Sequence, residues 1–314
     1  MSARAKVPQA GIWAPALTLY NAENDDIDYP AQSKYFKYLS EHLTGLVVLG
    51  TNAETFLLTA GERKKLLHTA REAVGPEYPI IAGVGGHSTK QVLEFINDAI
   101  AAKADYALVL PAAYFGKATT KKVIMDFYDE VAVKSRIPIL IYNFPGVCNG
   151  VDLDSDIIAS LAKKHSNIVG VKLTCGSVAK ITRLAATFSK DEFAVFGGQS
   201  DFLLGGMAVG SIGCIAAFAN VFPKTITKVY DLYISGKHAE ALGLQQKVAL
   251  AEQLTKSGIA STKYAAALSS AKSAGIEDTE KRLKPRHPYE APSDEVKSSI
   301  RAAMEEVKAI EDSL

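Results

Sequence analysis

Eight short apolar segments, separated by stretches with helical periodicity, constrain the fold of this chain more than any other feature of its sequence. Each segment has the length of a strand and is nearly continuously apolar, which is typical of parallel strands buried on both faces. The segments are 12–17, 45–49, 79–83, 106–110, 138–142, 168–172, 193–197 and 210–216. Amphipathic helices are predicted at 29–42, 59–74, 88–102, 120–135, 154–165, 177–188, 201–209 and 223–235.

This alternation predicts a (β/α)8 TIM barrel of the α/β class, with a C-terminal helical extension. We expect residues 1–235 to form a catalytic barrel domain. Residues 236–314 are expected to pack on it as helices at 238–255, 260–273 and 292–313, with a loop at 281–292. A doubly wound open sheet is the alternative. Its usual GxGxxG turn is absent after the first segment, where Thr18-Leu19-Tyr20-Asn21 stands instead.

Charge and composition exclude several classes of partner. Lys and Arg total 35 and Asp and Glu 34, so the net charge of +1 gives no basis for binding nucleic acid or an anionic membrane. No segment is long enough to predict a membrane span. The three cysteines and six histidines lack metal-site spacing, so no metal is expected, and the odd, scattered cysteines indicate a reducing compartment. The N-terminus lacks a secretory signal, and although it is basic like a transit peptide it is very short. We therefore expect a cytoplasmic location.

Two side chains at the predicted C-terminal ends of strands can carry chemistry, because barrel active sites lie at that end. Lys172 ends the sixth segment in apolar surroundings. Desolvation there favours the uncharged amine, which attacks a carbonyl to form a Schiff base. Tyr142 ends the fifth segment, where a phenol serves as a proton relay or oxyanion donor. The alternatives are a salt-bridged lysine at the barrel rim and a tyrosine that caps the core.

Glycine-bearing turns follow three other segments. GTNAE at residues 50–54 places Thr51 and Asn52 where the backbone can approach a carboxylate. The turns GGQSD at 197–201 and GSIGCI at 210–215 form polar rims. Ordinary turn chemistry explains each of these motifs equally well when it is taken alone.

Taken together, the motifs resemble the dihydrodipicolinate synthase and N-acetylneuraminate lyase family of class I, pyruvate-dependent aldolases. The resemblance runs from about Gly11 through the C-terminal helices. It rests on GTNAE at 50–54, AGVGGHST at 82–89, Leu-Pro at 110–111, YNFP at 142–145, GVK at 170–172 and the stretch from 197 to 223. The order of these motifs on successive strands makes the match specific.

The resemblance implies a role for each matching residue. Lys172 would form the imine with a 2-oxo acid, Tyr142 would relay protons, and Thr51 and Asn52 would hold the substrate carboxylate and connect to Tyr142. The backbone of Ile215 would lie near the imine. No metal or other cofactor is implied beyond the covalent imine. The implied partners are a 2-oxo acid, an aldehyde and further copies of the chain, as a tetramer or dimer.

Departures from the family pattern bear on the substrate. Asn52 stands where the synthases have a second threonine of a hydroxyl relay, and residues 146–150 lack the arginine that reads a carboxylate. After Pro111 come two alanines and then Tyr114, so an intersubunit tyrosine is not assured. These departures disfavour dihydrodipicolinate synthesis.

A neutral, hydroxylated aldehyde fits these departures better. We expect Thr174 to project beside Lys172. The residues expected to hold the polyol tail are Gly198, Gln199, Ser200 and Asp201. The pattern is most similar to fungal-type 2-keto-3-deoxy-hexonate aldolases, which cleave a sugar acid such as 2-keto-3-deoxy-L-galactonate to pyruvate and glyceraldehyde. The alternatives are a 4-hydroxy-2-oxoglutarate aldolase, a synthase, a Schiff-base dehydratase and a catalytically silent scaffold or sensor.

Overall fold

Eight parallel strands close into a barrel in sequential order in the computed structural model, which describes residues 4–314. The strands are β1 (Gly11–Pro15), β2 (Gly45–Val48), β3 (Ile80–Gly83), β4 (Tyr106–Val109), β5 (Ile139–Asn143), β6 (Ile168–Leu173), β7 (Ala194–Gly197) and β8 (Gly213–Ile215). β1 pairs with both β2 and β8, which closes the sheet. The predicted (β/α)8 barrel with C-terminal helices is confirmed.

A helix follows each strand, and five more helices follow the barrel. They are α1 (Tyr29–Ser40), α2 (Ala60–Val74), α3 (Thr89–Ala101), α4 (Lys121–Lys134), α5 (Ser155–Lys164), α6 (Val178–Thr187), α7 (Leu203–Ala208), α8 (Pro223–Ile234), α9 (His238–Thr255), α10 (Ile259–Leu268), α11 (Ser270–Ser273), α12 (Thr279–Arg282) and α13 (Asp294–Ser313). Thr59 and Glu62 form a capping box at the start of α2. Ser88 caps α3 as its sequence position indicates.

Three segments differ from the sequence-based expectation. The helix predicted at 260–273 is divided, because Ser269 leaves the helical conformation and the Ser270 hydroxyl bonds to the Asn220 carbonyl. The short helix α12 covers the start of the predicted 281–292 loop. β8 begins only at Gly213, which has a φ of +144° and lies so close to Gly11 that a side chain would meet its carbonyl oxygen. Close packing where the barrel closes therefore shortens the last strand.

Large side chains fill the barrel interior below the strand ends. Trp13 and Phe196 are fully buried and meet edge to face, with ring centroids 6.2 Å apart. Leu140 and Ile215 belong to the same inner cluster, while a separate, larger cluster lies between the strands and the helices. The interior is thus a packed core, and a substrate can enter only at its end.

The C-terminal helices pack on the barrel. α9 lies against α8, and α13 lies against both. The carboxylate of Glu311, on α13, accepts hydrogen bonds from the backbone N–H and the hydroxyl of Thr225, each at 2.7 Å. The division at residue 235 stays a prediction. None of the helices in the described residues has both the length and the apolar character to cross a membrane.

Candidate active site

Lys172 and Tyr142 face each other across two paired strands. They are register partners on β6 and β5, and each is 2% exposed. The Lys172 Nζ lies 4.3 Å from the centroid of the Tyr142 ring. Because both residues stand near the C-terminal ends of their strands, the structure brings together the two residues expected to carry the chemistry.

The surroundings of Lys172 differ from those of the other deeply buried lysines. Lys263 has an ion pair with Glu54 at 2.5 Å, and Lys180 has one with Asp152. Within residues 4–314, no carboxylate forms an ion pair with Lys172. The described structure therefore gives no support to the salt-bridged alternative, and the amine of Lys172 is packed against an aromatic ring.

Thr51 and Asn52 form a short 3₁₀ turn directly after β2. The Thr18 hydroxyl donates to the Ala53 carbonyl at 2.7 Å, which fixes this turn against the loop after β1. The Oγ1 of Thr51 is buried and has no hydrogen-bond partner in the described part of the chain. Buried hydroxyls are normally bonded, so this oxygen is free to bond to a ligand.

A cavity of about 540 Å³ adjoins Thr51. One part of it is lined by Phe56 and Val147, from the loops after β2 and β5. Another part is lined by Ser257, between α9 and α10, and by Ile259, at the start of α10. The C-terminal extension therefore contributes to the space at the end of the barrel. A second cavity of about 530 Å³ is lined by residues 20–25 and by loop residues such as Lys284 and His287, but by none of the predicted site residues.

Thr174 and Gly198 are in direct contact beside Lys172. A Cβ atom on Gly198 would lie 2.5 Å from the Thr174 Cα and 2.6 Å from its nitrogen, so no other residue fits there without a shift of backbone. The Oγ1 of Thr174 is buried and, among residues 4–314, has no hydrogen-bond partner. Ile215 is fully buried on β8, opposite Trp13 of β1.

Helix α9 and the residue after it hold the loop after β7. The Ser200 hydroxyl donates to Glu252 at 2.6 Å, and the Gln245 amide donates to the Ser200 carbonyl at 2.8 Å. Lys256 Nζ donates to the Gln199 side chain at 2.9 Å and forms an ion pair with Asp201. The predicted Gln199, Ser200 and Asp201 are thus brought to one place. Ser200 is bonded to α9, and Gln199 and one oxygen of Asp201 are bonded to Lys256.

Sequence reasoning missed Gln245, Glu252 and Lys256. Their spacing of seven and four residues places them on one face of a helix. Polar side chains repeated on one face of a mostly apolar helix indicate that this face contacts polar groups of a neighbouring loop. Burial raises the pKa of Glu252 to about 7 despite the hydrogen bonds from Ser200, and the charge of Asp201 adds to the rise.

The backbone beyond Tyr142 is fixed by a hydrogen-bond network around the buried side chain of Asn143. The Asn143 side-chain oxygen accepts from the Leu153 N–H at 2.9 Å, and its amide donates to Asp152 at 2.7 Å. The hydrogen bonds from Lys180 and Asn143 hold the pKa of Asp152 below its ordinary value even though burial opposes them. This network holds the end of β5, and therefore Tyr142, in place.

Comparison with known proteins gives consistent results. Residues 9–307 match the dihydrodipicolinate synthetase family. A Coccidioides immitis protein whose name proposes a mitochondrial 4-hydroxy-2-oxoglutarate aldolase is 62% identical over 98% of both chains. An L-threo-3-deoxy-hexylosonate aldolase of Hypocrea jecorina is 40% identical over 81% of this chain and 85% of its own. The crystal structure of a dihydrodipicolinate synthase family protein from Coccidioides immitis has a TM-score of 0.93 at 58% identity, covering 99% of each chain.

The expected cytoplasmic location is wrong, because the 62% identical relative is named as mitochondrial. The expectation rested on scattered, unpaired cysteines and on the lack of a secretory signal. A reducing environment does not separate the cytoplasm from other reducing compartments.

Proposed function

The chain belongs to the dihydrodipicolinate synthetase family, and on this premise we propose that it is a Schiff-base aldolase whose imine forms on Lys172. Its relatives are named aldolases, which are carbon–carbon lyases. The observation that carries the assignment of Lys172 is its burial against the Tyr142 ring without an ion-pair partner in the described chain. The amine of a lysine is the nucleophile that imine formation requires.

The arrangement supports a complete cleavage sequence. The Lys172 amine attacks the C2 carbonyl of a 4-hydroxy-2-oxo acid, and loss of water gives a protonated imine. Tyr142 gives its proton to the departing water, and its phenolate then takes the proton of the C4 hydroxyl while the C3–C4 bond breaks, so that an aldehyde leaves and the bonding electrons pass into the imine as an enamine. A proton returns to C3, and water releases pyruvate and the free lysine. Thr51 and Asn52 hold the substrate carboxylate, and no metal takes part in this sequence.

A 3-deoxy-2-oxo sugar acid is the substrate that the site geometry supports best. The buried Thr174 hydroxyl and one buried oxygen of Asp201 have no partner within the described residues, and the hydroxyls of a glyceraldehyde product would bond to both. Gly198 lets the loop that carries Asp201 approach Thr174 closely.

4-Hydroxy-2-oxoglutarate is the second candidate substrate. The name of the 62% identical relative favours it, and the same relative supports a mitochondrial location for this chain. Its aldehyde product, glyoxylate, is anionic and needs a cation. Lys256 is the cation that lies at the β7 loop, although Asp201 already pairs with it.

Reductive trapping tests the proposal. Borohydride added with pyruvate should reduce the imine to a stable secondary amine, and mass spectrometry should find the pyruvate adduct on the peptide that holds Lys172. Lys172→Ala should give no adduct, whereas the control Lys122→Met, at an exposed lysine of α4, should give the wild-type yield of adduct on Lys172. No adduct, or an adduct on another lysine, would refute the assignment. A panel of 4-hydroxy-2-oxo acids assayed for aldehyde release would then separate cleavage from dehydration.

The proposal includes a homo-oligomer, either a tetramer or a dimer. Exposed aromatic rings beside the barrel mouth support it. Tyr114 is 68% exposed and lies between the rings of His87 and Phe115, with centroids 5.6 Å and 5.2 Å away. Light scattering on the purified protein measures the assembly directly.

A further inference from the structure

We infer that helix α9 is a positioning element for the aldehyde half of the reaction, and that Glu252 is its central residue. This inference rests on the proposed function, because it concerns the partner that the imine releases. It adds a role for the C-terminal extension, whose three side chains Gln245, Glu252 and Lys256 do not belong to any barrel strand or loop.

The three side chains hold three consecutive loop residues. Glu252 accepts from both the N–H and the hydroxyl of Ser200, at 3.3 Å and 2.6 Å, and Gln245 donates to the carbonyl of the same residue. All three polar groups of Ser200 are therefore bonded to α9. Lys256 bonds to the residues on either side, Gln199 and Asp201. The loop conformation therefore depends on α9 and on the residue that follows it.

These hydrogen bonds differ from ordinary surface hydrogen bonds because the side chains that make them are buried. Glu252 and Ser200 are 3% and 1% exposed, and Gln245 is buried beside them. A buried carboxylate is costly unless hydrogen bonds satisfy it, so removing either partner leaves a polar group unbonded and the loop free to move. A loop held in this way is pre-organised, as a binding site for a small aldehyde requires.

The position of the β7 loop in the barrel indicates that a shift of this loop changes the binding of the aldehyde. The proposed carboxylate-binding turn at Thr51 follows β2, four strands away from β6 around the barrel. The β7 loop follows the strand next to β6, and its Gly198 contacts Thr174. A shift of this loop should therefore change the binding of the leaving aldehyde and leave the pyruvate half in place.

Steady-state kinetics in the condensation direction test this role, with pyruvate and either glyceraldehyde or glyoxylate. Glu252→Ala should raise the KM of the aldehyde about tenfold, while the KM of pyruvate and the yield of borohydride-trapped adduct on Lys172 stay within about twofold. Glu252→Gln should restore most of the loss, since its amide can still accept from the N–H and donate to the hydroxyl of Ser200. Gln253→Ala, at the exposed neighbouring position, is the control and should match the wild type.

Each other result has a defined meaning. Unchanged kinetics in Glu252→Ala, or equal changes in both KM values, would overturn the role of α9. If Glu252→Ala does not fold, Lys256→Met at the exposed end of the helix applies the same test to Gln199 and Asp201, and normal aldehyde KM there would overturn it. A wild-type protein that forms no pyruvate adduct would instead refute the proposed function itself, and this inference with it.

Discussion

At the scale of single residues, a substitution of Tyr142 can separate imine formation from carbon–carbon cleavage. Tyr142→Phe keeps the ring against Lys172 but removes the hydroxyl that accepts and returns the proton. We expect kcat to fall by a factor of about 100 or more, because general acid–base catalysis contributes that much.

The fold should be unaffected, with a melting temperature close to that of the wild type. Tyr106→Phe is a suitable control, since that hydroxyl bonds to the Val7 carbonyl at the other end of the barrel. Near-normal turnover in Tyr142→Phe would remove the relay role and leave Tyr142 as a packing residue.

Glu252 makes stability depend on pH. Its pKa is raised from an ordinary 4.5 to about 7 in the folded protein, chiefly by burial. Between those values the unfolded chain has lost the proton that the folded protein retains, so stability falls as the pH rises through this window and levels off above it. Glu252→Gln has no proton to lose. As the pH rises from 5 to 8, the melting temperature of the wild type should therefore fall relative to that of this variant.

Glu240→Gln provides the reference for that comparison, because Glu240 is exposed in the first turn of the same helix. Its melting temperature should follow the wild type across the same range. Parallel curves for Glu252→Gln and the wild type would show that Glu252 does not titrate in this window.

Residues differ in how far the sequence alone predicts their place. Lys172 and Tyr142 were predictable because parallel barrel strands bring their C-terminal ends to one face. Glu252 and Lys256 were not, because no local pattern tells which loop a helix fifty residues away will contact. Ser200 was expected to face the substrate, and its hydroxyl is bonded to Glu252 instead.

At the scale of elements, the junction between the β6 and β7 loops depends on Gly198. Gly198→Ala would place a methyl group 2.5–2.6 Å from the Thr174 backbone, so one of the two loops must move. We expect a loss of stability of about 1–3 kcal/mol, as for overpacking, and a larger loss of activity because Thr174 follows Lys172.

Gly205→Ala is the matched control for this change. Gly205 lies in α7, and an added methyl group there meets no atom within 4 Å. Since alanine is the better helix former, this variant should be as stable as the wild type or slightly more so. Denaturant unfolding and aldol cleavage rates of the two variants test the prediction, and equal behaviour would contradict it.

The helix and strand boundaries were predictable to within a few residues, and the reason is local. Helical periodicity and N-caps such as Thr59 and Ser88 depend only on residues that are close together in the sequence. The break in the helix predicted at 260–273 was not predictable, since it comes from the contact of Ser270 with Asn220, fifty positions earlier. Tertiary contacts of this kind leave no trace in the local sequence.

At the scale of the whole molecule, a buried charge network joins the barrel to its C-terminal extension. Glu54, in the loop that carries Thr51 and Asn52, pairs with Lys263 of α10 at 2.5 Å and accepts from the Arg286 backbone N–H at 2.8 Å. Burial lowers the pKa of Lys263, and the charge of Glu54 opposes this effect. The position of the proposed carboxylate-binding turn therefore depends on residues that lie beyond residue 235.

Removing one partner of this ion pair should destabilise the protein more than removing both partners. Lys263→Met leaves Glu54 buried without its counter-charge, which costs about 3–5 kcal/mol, whereas a double change to Glu54→Gln and Lys263→Met removes both charges and recovers much of that loss. Lys247→Met, whose ion pair with Glu306 lies on the surface, should cost less than about 1 kcal/mol. Denaturant unfolding of five proteins, namely the wild type, Lys263→Met, Glu54→Gln, their double variant and Lys247→Met, measures these differences. Additive losses in the double variant would mean that the two residues act independently, and that the extension does not hold the turn after β2 through this pair.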